Sequence, residues 1–315
     1  MKITVLDCIN MPLEEHYWDW LPAYGEVTVW PRTSADDTVA RCRDCEVVFT
    51  NKVVLGEREF DALPCLRMVC VLATGYNVVD CAAARARGID VCNIPAYSTA
   101  SVAQTAIAHL LNIVNRVGHY AEAKAWAGQT DFSYVDTPLM ELAGKRMLVV
   151  GCGRTGTATA RVAEALGMEV ELFHTSALSN DATSADASLA LDEAVAKADV
   201  VSLHCPLTPA TNGLMNAHRI ALMKPTAILL NTGRGPLVDE QALADALNEG
   251  RLFAAGLDVL CKEPPKQDNP LLSARNCFIT PHIAWATEEA RRRLVAIAHQ
   301  NLDAWLAGNP VNVVN

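Results

Sequence analysis

Three polar residues in the second half of the chain form a candidate catalytic set. Arg234 follows the apolar run AILLN, Glu263 follows AAGLDVL, and His282 follows CFIT. A guanidinium can bind a carboxylate or carbonyl oxygen through paired hydrogen bonds, and an imidazole exchanges protons near neutral pH. Each residue alone has an ordinary structural explanation. Since all three follow strand-like runs, we expect them to converge at the carboxyl edge of one sheet, where doubly wound folds bind ligands.

A second group of residues has the spacing of a dinucleotide-binding loop. Gly151, Gly153 and Gly156 form G-x-G-x-x-G directly after the run MLVV and before a helical pattern. The glycines permit a tight turn, close approach of the backbone to a pyrophosphate, and close packing of helix against strand. The helix N-terminus attracts the anion. The loop, which includes Arg154 and Thr155, therefore predicts a dinucleotide cofactor.

The residue after the next predicted strand bears on which dinucleotide binds. About twenty residues beyond the glycines an acid normally bonds the adenosine ribose, and here that place is taken by His174. His174, Thr175 and Ser176 offer donors without the negative charge that would repel a 2′-phosphate, and Arg154 is the nearest cation in sequence. Two alternatives stay open: relaxed or NADP-leaning specificity, or NAD with its ribose held by Thr175 or Ser176.

Short apolar runs alternate with helical patterns through the chain, which favours parallel α/β sheets. The capping-box pattern SVAQ predicts that a long helix begins at Ser101, and another helical pattern covers 157–166. The predicted strands are 3–6, 27–30, 47–50, 68–72 and 91–93, followed by 147–150, 170–173, 200–204, 227–231, 255–259 and 278–280.

The length and a late helical pattern divide the chain into two predicted domains. The chain has 315 residues, about twice the usual length of one domain. The helical pattern over 287–306 comes too late for the second sheet. We therefore predict a discontinuous domain, 1–97 plus 287–315, and a dinucleotide-binding domain, 98–286. Both are doubly wound parallel-sheet α/β domains, with a cleft expected between them.

Composition restricts the partners and the compartment. The chain is 51% hydrophobic and carries a formal net charge of −10, which argues against nucleic acid and anionic membranes as partners. We find no secretory signal and no apolar segment of membrane-spanning length. The eleven cysteines do not form a disulfide framework, and Cys42 and Cys45 lack a second pair at zinc spacing. A cytoplasmic protein without a metal site is expected.

Several separate motifs together resemble the D-isomer-specific 2-hydroxyacid dehydrogenase family over nearly the whole chain. Besides the glycine loop and the three polar residues, the segments ATGYN (73–77), NIPAYST (93–99) and HIAWA (282–286) carry the resemblance. The last two are most similar to the glycerate dehydrogenase or hydroxypyruvate reductase branch. The resemblance implies an oxidoreductase that acts on a CH–OH group with NAD or NADP. It also implies that 1–97 plus 287–315 is a flavodoxin-like substrate-binding domain and that 98–286 is a Rossmann NAD(P)-binding domain.

The resemblance also implies a mechanism for the three polar residues. Arg234 binds the substrate carboxylate and polarises the C2 oxygen, while His282 donates or accepts a proton. Glu263, close to His282, favours the imidazolium. Because reduction needs the protonated ring and oxidation the neutral ring, we expect reduction to be favoured at lower pH and oxidation at higher pH.

Further residues are assigned to ligands by the same resemblance. Thr74 and Gly75 lie in a segment similar to the family's substrate loop, whose backbone amides receive the carboxylate. Lys52 is a candidate substrate cation or a solvated lysine, and Trp285 a candidate pocket wall or a hinge anchor. Asp258 matches the family's nicotinamide-side aspartate. The remaining implied cofactor positions are Val102, His204, Cys205, Pro206, Thr232, Gly233 and His282.

The implied reaction is reversible hydride transfer, with hydroxypyruvate or glyoxylate reduced to D-glycerate or glycolate. A phosphoglycerate dehydrogenase or another 2-keto acid reductase is the alternative among enzymes. The alternative of another class is an NAD(H)-sensing, corepressor-like binding protein that retains the fold. The family also implies a homodimer through the nucleotide-binding domain and a small 2-keto or 2-hydroxy acid as the other partner.

Overall fold

The structure, a computed structural model, describes residues 1–11, 15–122, 126–179 and 184–315. The chain divides into two compact units: unit 1 comprises Met1–Ser98 with Ala286–Asn315, and unit 2 comprises Thr99–Trp285. The domain boundaries predicted from the sequence differ from these by one residue at each crossing. The assignment of substrate to one unit and cofactor to the other stays a prediction.

Strands and short helices alternate along the described chain. The strands are β1 (Lys2–Val5), β2 (Glu26–Val29), β3 (Val47–Thr50), β4 (Met68–Val71), β5 (Asp90–Cys92), β6 (Arg146–Val150), β7 (Glu169–Phe173), β8 (Val200–Leu203), β9 (Ile228–Asn231), β10 (Ala254–Leu257) and β11 (Cys277–Ile279). The α-helices are α1 (Ala35–Cys42), α2 (Glu57–Asp61), α3 (Cys81–Ala86), α4 (Thr99–Asn115), α5 (Val117–Glu122), α6 (Arg154–Ala165), α7 (Ser184–Lys197), α8 (Ala217–Leu222), α9 (Glu240–Asn248) and α10 (Glu288–Leu306).

Unit 1 contains a five-stranded sheet in the order β2-β1-β3-β4-β5, and every strand pair in it is parallel. All residues of β3 and β4 are buried. The helix α10 begins after Thr287, whose side chain accepts a hydrogen bond from the Ala290 amide. Asn301 on this helix is fully buried and donates to the Asn93 carbonyl at 2.9 Å. These contacts attach the C-terminal helix to unit 1.

Unit 2 contains a six-stranded, wholly parallel sheet in the order β11-β10-β9-β8-β6-β7. Since β6 lies between β7 and β8, the order of the strands reverses there, which makes the carboxyl end of β6 a topological switch point. Leu148 and Val150 enter one buried cluster, and Met147 and Val149 enter another. This alternation places core on both faces of the sheet. The predicted fold class, two parallel-sheet α/β domains, is confirmed.

Two helix starts differ from those predicted. The capping-box interpretation of Ser101 is wrong, because α4 already begins at Thr99 and Ser101 is buried inside its first turn. Thr99 and Ala100 are both compatible with a helix, since neither is a glycine or a proline. The helix α6 begins at Arg154 rather than at the predicted residue 157, because Gly153 has an extended backbone and acts as its N-cap.

Cysteine pairing, helix length and possible metal ligands bear on the expected compartment and metal content. All eleven cysteines lie in described residues and none is paired in a disulfide. In the described parts of the chain, no helix has both the length and the apolar character needed to cross a membrane. The same parts hold no group of three or more His, Cys, Asp or Glu side chains arranged around a metal position.

Candidate active site

The three predicted catalytic residues follow three neighbouring strands. Asn231 pairs with Leu257, and Leu257 pairs with Ile279, so β9, β10 and β11 end level with one another. The loop after β9 carries Arg234, and the loops after β10 and β11 carry the other two residues. Sheet register therefore brings their backbones to one edge.

Glu263 and His282 are in direct contact. The Nδ1 of His282 lies 2.6 Å from Oε2 of Glu263, and both side chains are about one-third exposed. The other oxygen, Oε1, accepts a hydrogen bond from the Leu260 amide at 3.1 Å. An ionised carboxylate only accepts hydrogen bonds, so Nδ1 donates. Nε2 of His282 has no hydrogen-bond partner among the described residues.

The backbone around His282 is held by Asp258. This carboxylate is 1% exposed and accepts from the Thr280 hydroxyl at 2.6 Å and from the amides of Ile283 and Ala284 at 2.9 and 2.8 Å. The Asp258 carbonyl accepts from the His282 amide at 2.9 Å. His282 has φ 54, a left-handed conformation that costs free energy in a residue other than glycine. These bonds stabilise that conformation.

The loop that carries Arg234 is shaped by a buried amide and a glycine. Asn231 is 1% exposed; its Nδ2 donates to the Arg234 carbonyl at 2.9 Å and its Oδ1 accepts from the Gly233 amide at 3.0 Å. A Cβ on Gly235 would lie 2.0 Å from the Leu260 carbonyl carbon, so the loops after β9 and β10 touch. The Arg234 side chain itself is exposed and donates to the Gly233 carbonyl at 2.7 Å.

On the other half of the same edge, the glycine loop requires glycine for steric reasons. Gly151 has φ 104, and a Cβ there would lie 2.5 Å from the Cys205 amide nitrogen. A Cβ on Gly156 would lie 2.0 Å from the Gly151 carbonyl oxygen. The backbone therefore approaches its neighbours more closely than a side chain allows. The helix α6 begins at Arg154, inside this motif, and directs its N-terminal amides toward the turn at residues 151–153.

Two buried polar atoms at this edge of the sheet are unsatisfied within the described residues. His204 is 9% exposed; Nε2 lies 2.8 Å from the Ser202 hydroxyl, while Nδ1 has no protein partner. Burial lowers the pKa of His204 to about 4, so the ring is neutral at pH 7. The buried Thr232 hydroxyl also has no protein partner. Both atoms are available to hydrogen-bond a ligand, and together with the glycine loop they fit a dinucleotide.

The predicted ribose-binding segment follows β7. Gly151 donates its amide to the Phe173 carbonyl at 2.9 Å, which places His174 beside the glycine loop. His174 and Arg154 are exposed, and neither side chain is engaged with another described residue. A short 3-10 helix, Thr175–Ser179, comes next.

The remaining cofactor positions differ in exposure. Cys205 is buried, Pro206, Gly153 and Arg154 are exposed, and Val102, Thr155 and Gly233 are half-buried. Trp285, the last residue of unit 2, is also half-buried.

Within unit 1, the segment containing Lys52 is held by a buried carboxylate. Asp7 accepts hydrogen bonds from the amides of Asn51, Lys52 and Val53 at 2.7, 2.5 and 3.3 Å. Burial raises the pKa of Asp7, and the backbone donors partly offset this effect. The Lys52 side chain is exposed.

The predicted substrate loop in unit 1 is also held by hydrogen bonds. Thr74 donates its hydroxyl to the Ile94 carbonyl, and the Asn93 side chain donates to the Thr74 carbonyl, both at 2.8 Å. The Thr74 side chain is thereby engaged within its own unit. Gly75, next in the loop, is half-buried.

Comparison with known proteins places the chain in a family. Residues 107–284 match the D-isomer specific 2-hydroxyacid dehydrogenase, NAD binding domain. The chain belongs to this family. This dehydrogenase is 48% identical to a hydroxypyruvate reductase of Blautia hydrogenotrophica over 100% of both chains. It is 38% identical to a glycerate dehydrogenase of Methylorubrum extorquens over 99% of this chain and 98% of the other.

A solved structure extends the likeness to three dimensions. The NADPH-dependent glyoxylate/hydroxypyruvate reductase of Sinorhizobium meliloti, in complex with NADP and malonate, superimposes with a TM-score of 0.83 at 31% identity. The match covers 99% of this dehydrogenase and 96% of that chain. The predicted family is confirmed, and the chain is an oxidoreductase of the kind that uses NAD or NADP.

Sequence reasoning missed three polar residues that shape the site, of which Asn231 and His109 are buried and Thr280 is half-buried. Asn231 and Thr280 stood inside recognised motifs but received no role. His109, on the long helix predicted from Ser101, also received no role. The available signal was a polar residue inside an otherwise apolar run, which in a buried element needs a hydrogen-bond partner.

Proposed function

We propose that this dehydrogenase reversibly reduces hydroxypyruvate to D-glycerate and glyoxylate to glycolate. The observation that carries the proposal is the contact of 2.6 Å between His282 and Glu263, at the same sheet edge as the loop of Arg234. The names of the similar proteins, hydroxypyruvate reductase and glycerate dehydrogenase, support the substrate class.

In the proposed mechanism each side chain has one task. Arg234 binds the substrate carboxylate and polarises the C2 carbonyl, since a guanidinium matches oxyanions through paired hydrogen bonds. His282 donates the Nε2 proton to the C2 oxygen as the ketone becomes an alcohol. Glu263 keeps the ring oriented through Nδ1. When bound, the reduced nicotinamide supplies the hydride that C2 accepts.

Further contacts with the substrate are proposed for other residues. In unit 1, the backbone near Thr74 and Gly75 offers amides for a carboxylate, and Lys52 offers a cation. Trp285 in unit 2 offers an apolar wall. These assignments follow from the family resemblance and from the exposed or half-buried state of each residue.

Both nicotinamide dinucleotides are proposed as cofactors, with a leaning toward NADP. His174 stands where an acid would repel a 2′-phosphate, and Arg154 is an exposed cation in the adjacent loop. NAD held through Thr175 or Ser176 is the alternative. The proposed cofactor residues are Val102, Gly151, Gly153, Arg154, Thr155, Gly156, His174, Thr175, Ser176, His204, Cys205, Pro206, Thr232, Gly233, Asp258 and His282.

A cytoplasmic homodimer is the proposed state of the protein. Unpaired cysteines are consistent with a reducing compartment. For the dimer, the support is an exposed apolar segment of unit 2, in which Phe132 is 93% exposed and Trp126 and Val135 are also exposed. Light scattering coupled to gel filtration measures the mass; a monomer at micromolar concentration contradicts the dimer.

The proposed function is tested by following the loss of reduced-nucleotide absorbance. Hydroxypyruvate, glyoxylate, pyruvate and 3-phosphohydroxypyruvate are each supplied with NADH or NADPH. The expected result is the highest kcat/KM for hydroxypyruvate, with activity on both cofactors. Preference for the phosphorylated substrate supports the phosphoglycerate dehydrogenase alternative. Binding of NADH without turnover supports the corepressor-like alternative, and a strong NADH preference contradicts the NADP leaning.

A further inference from the structure

A buried histidine outside the candidate catalytic set lies next to the Thr280 hydroxyl, which donates a hydrogen bond to Asp258. His109 on α4 is 6% exposed, and its Nε2 lies 2.9 Å from Oγ1 of Thr280. The same hydroxyl donates to Asp258 at 2.6 Å. His109, Thr280 and Asp258 thus form a continuous chain of hydrogen bonds, here called the buried relay.

The direction of each bond in the buried relay follows from proton counting. A hydroxyl has one proton, and Thr280 uses it toward Asp258, because an ionised carboxylate can only accept. The bond to His109 therefore requires Nε2–H as the donor. Burial lowers the pKa of His109, and the nearby Asp258 offsets part of that effect. A neutral ring protonated on Nε2 satisfies both conditions.

Packing fixes His109 in this position. A Cβ on Gly256 of β10 would lie 2.8 Å from Cβ and 3.0 Å from Cγ of His109, so the imidazole rests directly against the strand. The strand β10 leads to Asp258, and Thr280 directly follows β11. The absence of a side chain at Gly256 is what lets α4 approach the two strands closely enough for the bond.

We propose that His109 is a positioning residue for His282, acting through Thr280 and Asp258. This inference rests on the proposed function, in which His282 transfers the proton. The buried relay directs the Asp258 carboxylate toward the amides of Ile283 and Ala284, and these bonds hold His282 at its left-handed φ of 54. Without the donor on His109, Thr280 is free to rotate, and Asp258 loses an oriented partner.

The expected signature is a loss of kcat with little change in binding. His109→Leu removes the donor and keeps much of the volume, and we expect kcat to fall roughly tenfold, because small misplacements of a reacting group are costly. The KM for the keto acid is expected to stay within about twofold, since Arg234 is not part of the buried relay. His109→Gln, which keeps a donor near the Nε2 position, should recover most of kcat.

A second measurement does not depend on turnover. Hydrogen–deuterium exchange reports how firmly the amides of Ile283 and Ala284 are bound to Asp258. We expect exchange in a peptide covering these residues to be roughly tenfold faster in His109→Leu than in wild type, and close to wild type in His109→Gln. Ile113→Ala, on the same helix and buried in the same unit, is the matched control for general destabilisation. Its effect on this peptide should be smaller.

Thr280→Val supplies an independent break in the buried relay. If the three residues act as one chain, adding His109→Leu to Thr280→Val should lower kcat by less than about twofold. The reason is that the Thr280 hydroxyl, to which His109 donates, is already absent in Thr280→Val. Equal losses in His109→Leu and His109→Gln, additive losses in the double variant, or unchanged exchange would each overturn the proposal. A wild-type protein that turns over no keto acid refutes the proposed function, whereas the exchange measurement still decides whether the relay holds the loop.

Discussion

Along the carboxyl edge of the unit 2 sheet, the loops after β6 and β8 are shaped differently from the loops after β10 and β11. In the first half, Gly151 and Gly156 are needed because backbone atoms come within 2.0–2.5 Å of where a Cβ would be. In the second half, the carboxylates of Asp258 and Glu263 hold the loops through hydrogen bonds. The pyrophosphate of a dinucleotide must approach the backbone closely, without intervening side chains. Proton transfer instead needs a side chain that is held in one orientation.

The largest effect is expected from the residue proposed to transfer the proton. His282→Ala should lower kcat roughly a thousandfold, within the range that general acid catalysis contributes. Cofactor affinity, measured by quenching of protein fluorescence, should fall much less than kcat, because His282 is only one of many proposed cofactor contacts. The exposed His218 on α8 gives a matched control, since His218→Ala removes an imidazole from the same unit. A His282→Ala variant that retains a tenth of wild-type kcat contradicts the assignment.

The wild-type enzyme should also show opposite pH dependence in its two directions. In the proposed mechanism, reduction uses protonated His282 and oxidation the neutral ring, so we expect kcat for reduction to fall as pH rises while kcat for oxidation increases. The two profiles are measured under saturating cofactor. Parallel profiles would remove His282 from the proton transfer.

Gly151→Ala tests the glycine-loop half of the edge, because it adds one methyl group there. Gly151→Ala forces a residue with a side chain into φ 104 and into contact with Cys205, and we expect cofactor affinity to fall roughly tenfold to hundredfold. Gly118→Ala, where the nearest atom to the new Cβ is 3.5 Å away, is the control. Titration of the protein with NADPH, together with circular dichroism to verify folding, measures the effect. Unchanged affinity in a folded Gly151→Ala protein contradicts the proposed site.

Glu263→Gln tests whether charge or only shape matters in the second half. The variant keeps the size of the side chain but replaces the ionised acceptor of the His282 Nδ1–H bond. Hydrogen bonds to charged groups contribute about 1.5–3 kcal/mol, so we expect kcat to fall roughly tenfold or more. Cofactor affinity should stay the same. A drop in affinity without a drop in kcat would mean that Glu263 belongs to the cofactor half.

The last prediction concerns the pH dependence of stability and the buried ring of His204. Burial lowers its pKa from 6.5 to about 4, so the unfolded chain takes up a proton before the folded one does. Stability from the neutral ring is present above pH 6.5 and is lost as the pH falls toward 4. His204→Gln should make the free energy of unfolding less dependent on pH, by roughly 3 kcal/mol at most. Urea unfolding at pH 7 and pH 5 measures it; equal pH dependence in both proteins would contradict it.

The pattern of apolar runs was sufficient to predict the strands and the edge where the loops meet. Hydrophobic periodicity reports burial on a strand directly, and the switch from strand to glycine loop is local in sequence. The start of α4 was misjudged because Ser101 fits a capping pattern equally well in a loop and in a first helical turn. Local helix propensity does not reveal at which of several neighbouring residues a helix begins.

Partners that are distant in sequence could not be predicted. His109 and Thr280 are separated by 171 residues, and only the packing of α4 against Gly256 brings them together. For Asp258, the motif suggested a contact with the cofactor. In the structure its oxygens accept from Thr280, Ile283 and Ala284.

By itself, the sequence determined the fold class, the glycine loop and the identity of Arg234, Glu263 and His282 as candidates, because each depends on residue type and local spacing. Only the tertiary structure decided that Glu263 contacts Nδ1 of His282 and that Asp258 holds the loop. It also showed that His109 and the Thr232 and His204 side chains are buried at this edge. Hydrogen bonds between separate loops depend on sheet register and helix packing, and no short stretch of sequence contains that information.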